Sequence, residues 1–316
     1  MYHIGIDLGG TNIAAGVVTH EHKLVCKASV PTALPRSAES LADGIWELAV
    51  NMLKENHMEM RQIESLGIGI PGTVNKATGM IEYANNFGFD NVPFIGMLQQ
   101  RFPCPVLAEN DAKAAAWAEY LTGAGASCHS MVAVTLGTGV GGGIILDGKI
   151  WDGCNSAAGE IGHMVVERGG RPCTCGRRGC LEAYASATAL VQSAREAAGQ
   201  NPDSMLVTLC GGDLSKLNGK AVFQAAEAKD PTAEAVMDTF IHYLAEGVAN
   251  LINILQPELL CIGGGLSGAG DLLLLPLREA VRPMIHSKNS KVNTCITLAK
   301  LGNDAGIIGA AGLWLL

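Results

Sequence analysis

Short apolar runs alternate along this chain with glycine-rich turns, and longer stretches repeat apolar residues at helical spacing. Residues 2–8 and 13–18 read as two strands joined by Gly9-Gly10-Thr11-Asn12, a hairpin turn with glycines where positive φ is expected. Ser40 to Glu55 reads as an amphipathic helix with Leu41, Ile45, Leu48 and Met52 on one face. Leu66 to Ile70 is a buried strand closed by Pro71-Gly72, and Val106 to Ala108 is another. Glu109-Asn110-Asp111 follows it and opens an alanine-rich helix through Tyr120. Met131 to Leu136 reads as a core strand, then Gly137-Thr138-Gly139-Val140-Gly141-Gly142-Gly143 as a turn, then Ile144 to Leu146 as a second strand. Ala183 to Ala198 has a helical pattern, whereas residues 202–219 have no readable period. Asp230 is expected to cap a long helix with Pro231 at its first position. Val236, Phe240, Leu244, Val248, Leu251 and Leu255 form its core stripe. Leu259 to Ile262 is a strand before Gly263-Gly264-Gly265. Val292 to Leu298 is the last strand and Asp304 to Leu316 the last helix.

One device occurs twice: a strand, a Gly/Thr turn and a second strand. Asp7 ends the first strand beside Gly9-Gly10-Thr11. Such a turn can wrap backbone N–H groups and a hydroxyl around a phosphate, with a carboxylate nearby for a cation. An ordinary hairpin carries the same glycines. The repeat at Gly137 to Gly143 suggests two related halves facing one nucleotide and favours the phosphate reading. The glycine triplet at 263–265 lets a planar or charged group approach the backbone. Asn85-Asn86 beside Phe87 and Phe89 suits a sugar ring, or is an ordinary asparagine turn. Asp111 stands at a strand-to-helix junction, as an N-cap or as a general base.

Composition narrows this picture. The chain has 316 residues and a net charge of −8, which suits two domains and disfavours a nucleic-acid partner. Its only basic cluster is Arg168, Arg171, Arg177 and Arg178, read as a solvated loop face. The chain enters a strand at Tyr2 without a signal-peptide pattern and holds no apolar run of membrane-spanning length, so a cytoplasmic protein is expected. Cys26, Cys104, Cys128, Cys154, Cys210, Cys261 and Cys295 are scattered and expected to be reduced core residues. The other three belong to GEIGHMVVERGGRPCTCGRRGCLE, residues 159–182. There His163, Cys173, Cys175 and Cys180 follow the spacing H-x9-C-x-C-x4-C. A Cys3His set satisfies tetrahedral zinc and leaves no open position for water, so a structural zinc is expected. It would fix His163, Glu160 and Glu182 relative to one another.

These motifs resemble the ROK family (repressor, open reading frame, kinase), and within it the bacterial glucokinase branch. The resemblance rests on Asp7-Leu8-Gly9-Gly10-Thr11, Asn110-Asp111, Leu136 to Gly143, Glu160-Ile161-Gly162-His163, and Cys173-Thr174-Cys175-Gly176 with Gly179-Cys180-Leu181-Glu182. It implies an α/β, actin-like (ribonuclease H-like) two-domain fold with a cleft between the domains. The expected division is a smaller domain of residues 1–120 plus 304–316 and a larger one of 121–303 with the zinc loop. It implies ATP-dependent phosphorylation of a hexose at the 6-hydroxyl, D-glucose first, with Asp111 as general base. By the same resemblance Asn86, Asn110, Asp111, Glu160, His163 and Glu182 contact the sugar. Gly9, Gly10, Thr11, Asn12, Thr138 and Gly139 would line the ATP phosphates, Asp7 would help hold Mg2+, and Gly264 and Gly265 would lie near the adenosine. A homodimer is implied as well. Phe89 stands where many family members carry tryptophan.

Physical chemistry agrees with that set. Phosphoryl transfer rests on positioning and charge stabilisation, and a carboxylate that accepts the hydroxyl proton assists a weak nucleophile. Buried polar groups left unpaired by a wrong stereoisomer give sugar specificity. Two carboxylates also suit a glycosidase, which has no use for phosphate turns. Kinases of N-acetylglucosamine, N-acetylmannosamine, allose or fructose share the Glu160/His163/Glu182 frame. A sugar-responsive repressor would carry a helix-turn-helix segment ahead of the first strand, and none is expected here. A non-catalytic sugar-sensing protein is the remaining alternative, against which Asp111 and both turns argue.

Overall fold

The computed structural model describes all 316 residues. The chain divides into two units. Unit 1 is Met1–His129, Gly143–Gly159 and Lys300–Leu316; unit 2 is Ser130–Gly142 and Glu160–Ala299. In chain order the strands are β1 (Tyr2–Leu8), β2 (Asn12–Thr19), β3 (Leu24–Pro31), β4 (Ile63–Ile70), β5 (Thr73–Asn75), β6 (Met80–Ala84), β7 (Phe89–Val92), β8 (Val106–Asn110), β9 (Met131–Leu136), β10 (Val140–Leu146), β11 (Lys149–Ile150), β12 (Leu259–Gly263) and β13 (Cys295–Leu298).

In unit 1 the main sheet has the order β3-β2-β1-β4-β8. The first three strands are antiparallel; β1, β4 and β8 are parallel. A helix, α1 (Ala38–Glu55), crosses from β3 to β4. Ser37 caps it, its side chain accepting from Ser40 N at 3.2 Å, and Leu41, Ile45, Leu48 and Met52 are buried as their spacing predicts. They join Ile4, Ile6, Leu8, Ile13, Leu66, Ile68 and Ile70 in one apolar core. A second helix, α2 (Phe94–Gln99), follows the small β5-β6-β7 sheet, and α3 (Asp111–Leu121) follows β8. The C-terminal helix Ala305–Ala311 lies directly on this sheet. A Cβ at Gly5 would collide with the carbonyl of Ile307, and one at Gly67 with that of Ala310. Gly309 makes the same approach to the Ala114 carbonyl of α3. This helix is shorter than residues 304–316, because a 3-10 turn, Gly312–Leu315, replaces its end.

The second sheet repeats the plan in the order β11-β10-β9-β12-β13, with β9, β12 and β13 parallel. The division between the units falls inside β10. That strand begins at Val140, so residues 140–143 are sheet and not turn; only Gly137-Thr138-Gly139 remain between the strands. In unit 2 the long helix Pro231–Leu255 starts as predicted, with Asp230 accepting from Ala233 N at 2.8 Å. Five of its six stripe residues are buried and Leu255 is half-buried. Ser186 breaks the expected 183–198 helix into Glu182–Ala185 and Ala187–Gln200, because its hydroxyl caps the second piece. The last strand begins at Cys295; Val292 is exposed. Cys154 and Cys295 are also exposed, unlike the core cysteines Cys104, Cys210 and Cys261. The two repeated sheets are the ribonuclease H-like halves of an actin-like fold. No helix is long and apolar enough to cross a membrane.

Candidate active site

The parallel register of unit 1 sets Asp7 opposite Gly69, and Gly69 opposite Glu109. The carboxyl ends of β1 and β8 therefore deliver Asp7 and Asn110-Asp111, and strand ends of this kind are where open α/β sheets bind ligands. Burial pushes the Asp7 carboxyl above its ordinary range. After β1 the turn is closed by Gly9 N–H donating to Asn12 O at 2.9 Å. Thr32 ties it down, its hydroxyl donating to Gly9 O at 2.6 Å and its N–H to Thr11 O at 2.8 Å. Neither Gly9 nor Gly10 has positive φ, contrary to the expectation from the sequence. Space selects glycine at position 9, where a Cβ would stand 2.9 Å from Asn12 O. A Cβ on Gly10 would meet only Asn86, whose Nδ2 would be 3.7 Å away. The turn and the asparagine pair are thus neighbours.

Asn110, not Asp111, is the N-cap of α3. Its Oδ1 accepts from Ala112 N at 3.0 Å and Lys113 N at 3.2 Å, and its Nδ2 donates to Gly72 O at 3.1 Å. Asp111 is the first helical residue, and its Oδ1 accepts from Ala112 N at 2.8 Å. The capping role weighed for Asp111 therefore falls on Asn110.

In unit 2, Gly137 N–H donates to Gly139 O at 3.0 Å to close the turn, and Thr188 Oγ1 donates to Thr138 O at 2.8 Å. A depression of about 530 Å³ opens beside Thr138, lined by Ala187, Thr188, Val191, Gln192 and Arg195. Gly264 needs glycine on two grounds: its φ is +80°, and a Cβ would stand 2.5 Å from Leu136 backbone atoms. Nothing crowds Gly265. Glu182 reaches the turn directly, its Oε2 accepting from Val140 N at 3.1 Å. A Cβ at Gly139 would collide with that carboxylate.

The other oxygen of Glu182 faces the cysteine loop, 3.9 Å from Cys173 Sγ, and accepts from Thr174 Oγ1 at 3.4 Å. His163 Nδ1 is 3.6 Å from Cys173 Sγ, and Cys175 Sγ is 3.7 Å from Cys180 Sγ. The four ligand atoms lie within 4.8 Å of one another, and the donor set fits a tetrahedral soft cation. Gly179, at φ +83°, lets the loop fold, since a Cβ there would collide with Glu167 O. Glu160 is exposed and precedes the 3-10 turn Ile161–His163 that presents the histidine. Of the four loop arginines, Arg171 is not a solvated surface residue. Its guanidinium carbon lies 5.0 Å from the centre of the Tyr184 ring, and its backbone N–H donates to Tyr184 Oη at 2.6 Å.

One part of the site escaped sequence reasoning. Glu109 is 1% exposed and ion-paired with Lys76, with Lys113 Nζ 3.9 Å away. Asp152 bridges the two lysines, at 2.6 Å from Lys76 and 3.1 Å from Lys113, and Lys113 Nζ also donates to Ser156 O at 2.8 Å. Burial pushes Glu109 up against the pull of Lys76, whereas Lys76, itself disfavoured by burial, is held above its ordinary value by Glu109 and Asp152. This charge-balanced group anchors the start of α3, where Asn110 and Asp111 sit. The four-residue spacing of Glu109 and Lys113 was the one signal in the sequence.

The ROK family model matches residues 3–316. The chain belongs to the ROK family. Relatives in this family include the glucokinase of Halalkalibacterium halodurans, 38% identical over all of this chain and 94% of the relative. Another is the glucokinase of Thermotoga maritima, 39% identical over 98% of this chain and 96% of the relative. Among solved structures, a ROK glucokinase of Streptomyces griseus in complex with glucose and AMPPNP superposes with a TM-score of 0.87, at 36% identity over 99% of both chains.

Proposed function

We propose that this protein transfers the γ-phosphoryl group of ATP to the 6-hydroxyl of a hexose, D-glucose first. Asp111 is the base in this reading. The observation that carries it is the release of Asp111 from capping by Asn110, at the carboxyl end of β8, in a chain with full-length glucokinase relatives. The Asp111 carboxylate takes the hydroxyl proton as the oxygen attacks phosphorus. Asn86, Asn110, Glu160, His163 and Glu182 hold the other hydroxyls. For Asn110 the contact comes from its second amide hydrogen, since Oδ1 serves the cap and the first hydrogen serves Gly72. Gly9 to Asn12 and Thr138-Gly139 cradle the phosphates through backbone N–H groups. The adenosine takes the depression beside Thr138, towards Gly264 and Gly265. Asp7 helps hold Mg2+, which neutralises charge on the transferring phosphoryl group.

His163, Cys173, Cys175 and Cys180 hold a structural Zn2+. Glu182 is braced by Thr174 Oγ1, which donates to one oxygen, and by the Val140 N–H, which donates to the other. A coupled assay of ATP consumption over a panel of hexoses tests the reading. Glucose should give the highest kcat/KM. Turnover of an N-acetylated hexosamine in preference to glucose would reassign the substrate, and no turnover with any sugar would remove the enzyme reading.

A further inference from the structure

A second cluster of metal-ligating side chains lies in unit 1, away from every residue assigned above. His3 is on β1, His20 follows β2 in the turn to β3, and Glu64 is on β4. Their ligand atoms lie within 4.8 Å of one another. His20 Nε2 is 2.8 Å and His3 Nε2 is 3.7 Å from the same Glu64 oxygen, Oε2. His3 is 2% exposed, and its buried Nε2 has no hydrogen-bond partner. A buried imidazole nitrogen without a partner is costly and asks for a ligand.

The surroundings prepare His3 for one role. Its other nitrogen, Nδ1, lies 2.7 Å from Oγ of Ser65, its neighbour across the β1–β4 register. When Nδ1–H donates to that hydroxyl, Nε2 carries the free lone pair and points at Glu64. A hydrogen bond of this kind on the far nitrogen fixes tautomer and ring orientation in metal-binding histidines. Trp314 stacks on His3 at a centroid distance of 4.8 Å and an interplanar angle of 6°, and meets His20 edge-on at 5.0 Å. One wall of the cluster is therefore rigid and apolar, while the side chains of His20 and Glu64, 41% and 32% exposed, leave an entry path.

We propose that His3, His20 and Glu64 form a second metal site, for a late divalent transition ion of the zinc type. Two imidazoles and a carboxylate are borderline donors suited to zinc, nickel and copper and poor for magnesium or calcium. Bonds of about 2.0–2.1 Å in a tetrahedron place ligand atoms roughly 3.3–3.4 Å apart. The His3–Glu64 separation of 3.7 Å closes slightly and the His20–Glu64 separation of 2.8 Å opens slightly to reach that geometry. The ion satisfies the orphaned Nε2 and keeps one position open to water. It joins the start of β1, the β2–β3 turn and the start of β4, so it acts as a clasp across the middle strands of the unit 1 sheet, with no part in phosphoryl transfer.

The test uses the full chain as purified and counts zinc per chain by plasma mass spectrometry after equilibrium dialysis. At about 50 µM free zinc, the wild type should hold about two zinc ions and His20→Ala and Glu64→Gln about one, the one that remains being the closed Cys3His ion. Both substitutions are at partly exposed side chains, and their unfolding midpoints before zinc is added should match the wild type. Added Ni2+ should quench Trp314 emission in the wild type, and this quenching should vanish in Trp314→Phe and weaken at least ~10-fold in affinity in Glu64→Gln. A wild type that stays at one zinc per chain, or a second ion that survives both substitutions, overturns the proposal.

Discussion

The two Gly/Thr turns occupy equivalent places in the two repeated sheets, yet they are built for different work. Asp7-Leu8-Gly9-Gly10-Thr11 aligns with Thr135-Leu136-Gly137-Thr138-Gly139. Asp7 faces Gly69 across β1 and β4, and Thr135 faces Gly263 across β9 and β12. The partner is glycine in both, and each packs closely: a Cβ would stand 3.4 Å from Ala114 and Asp111 at Gly69 and 3.3 Å from Ala299 at Gly263. The residue beside it differs: a half-buried carboxylate in unit 1, a neutral hydroxyl in unit 2. The carboxylate that unit 2 does bring to its turn, Glu182, comes from the far side of the cysteine loop and bonds the turn's own backbone at Val140. The two sheets share their strand plan, while the charges at the strand ends differ. The proposed cation ligand Asp7 and the proposed base Asp111 both belong to unit 1, whereas Glu182, which accepts from Val140 N, belongs to unit 2.

The largest expected effect tests that concentration of charge in unit 1. Asp111→Asn should lower kcat by roughly 10²–10⁴-fold, since the amide accepts no proton. Its unfolding midpoint should match the wild type, because Asn110 supplies the cap and an amide oxygen at position 111 still accepts from Ala112 N. Near-normal turnover in a folded variant would place the base elsewhere, with Glu160 and Glu182 next to examine.

A smaller effect is expected at Asp7. Its carboxyl is raised by burial, so the folded state binds that proton more tightly than the unfolded chain. Stability of the ligand-free protein should therefore fall as pH rises from the unfolded value through the folded one, and stay lower above it. Asp7→Asn should remove this dependence and raise the neutral-pH midpoint of the ligand-free protein, while weakening Mg2+-nucleotide binding by roughly 10-fold or more. A midpoint that drops at neutral pH would mean that the charge stabilises the fold. Thr135→Val at the equivalent place in unit 2 should show neither change.

The smallest effects separate the two turns by shape. Gly139→Ala forces the Glu182 carboxylate to move and should raise KM for the sugar several-fold, roughly 1 kcal/mol of lost contact. Gly10→Ala meets only the Asn86 amide at ordinary contact distance and should change the same constant less. Equal effects in steady-state kinetics would show that Glu182 does not read the Gly139 position.

Features confined to a few residues were legible in the chain itself. The cysteine and histidine ligands fall within residues 163–180, and the structure brings all four together. Asp230 and Pro231 act within one helical turn, and the α1 stripe repeats inside one helix. In each case the groups that interact are held close by the local backbone, so spacing carries the geometry. Tertiary structure alone decided the rest. Which of Asn110 and Asp111 caps α3 depended on the direction of the chain leaving β8. The setting of Asp111 came from Lys76 and Asp152, tens of residues to either side of Glu109. The glycines at 5 and 67 serve the backbone of Ala305–Ala311, brought back from the far end of the chain, and His3 meets Glu64 only through the β1–β4 register. Parallel strands are joined by long crossovers, so their register follows from how helices and sheet pack and leaves no trace in the spacing of the residues it brings together.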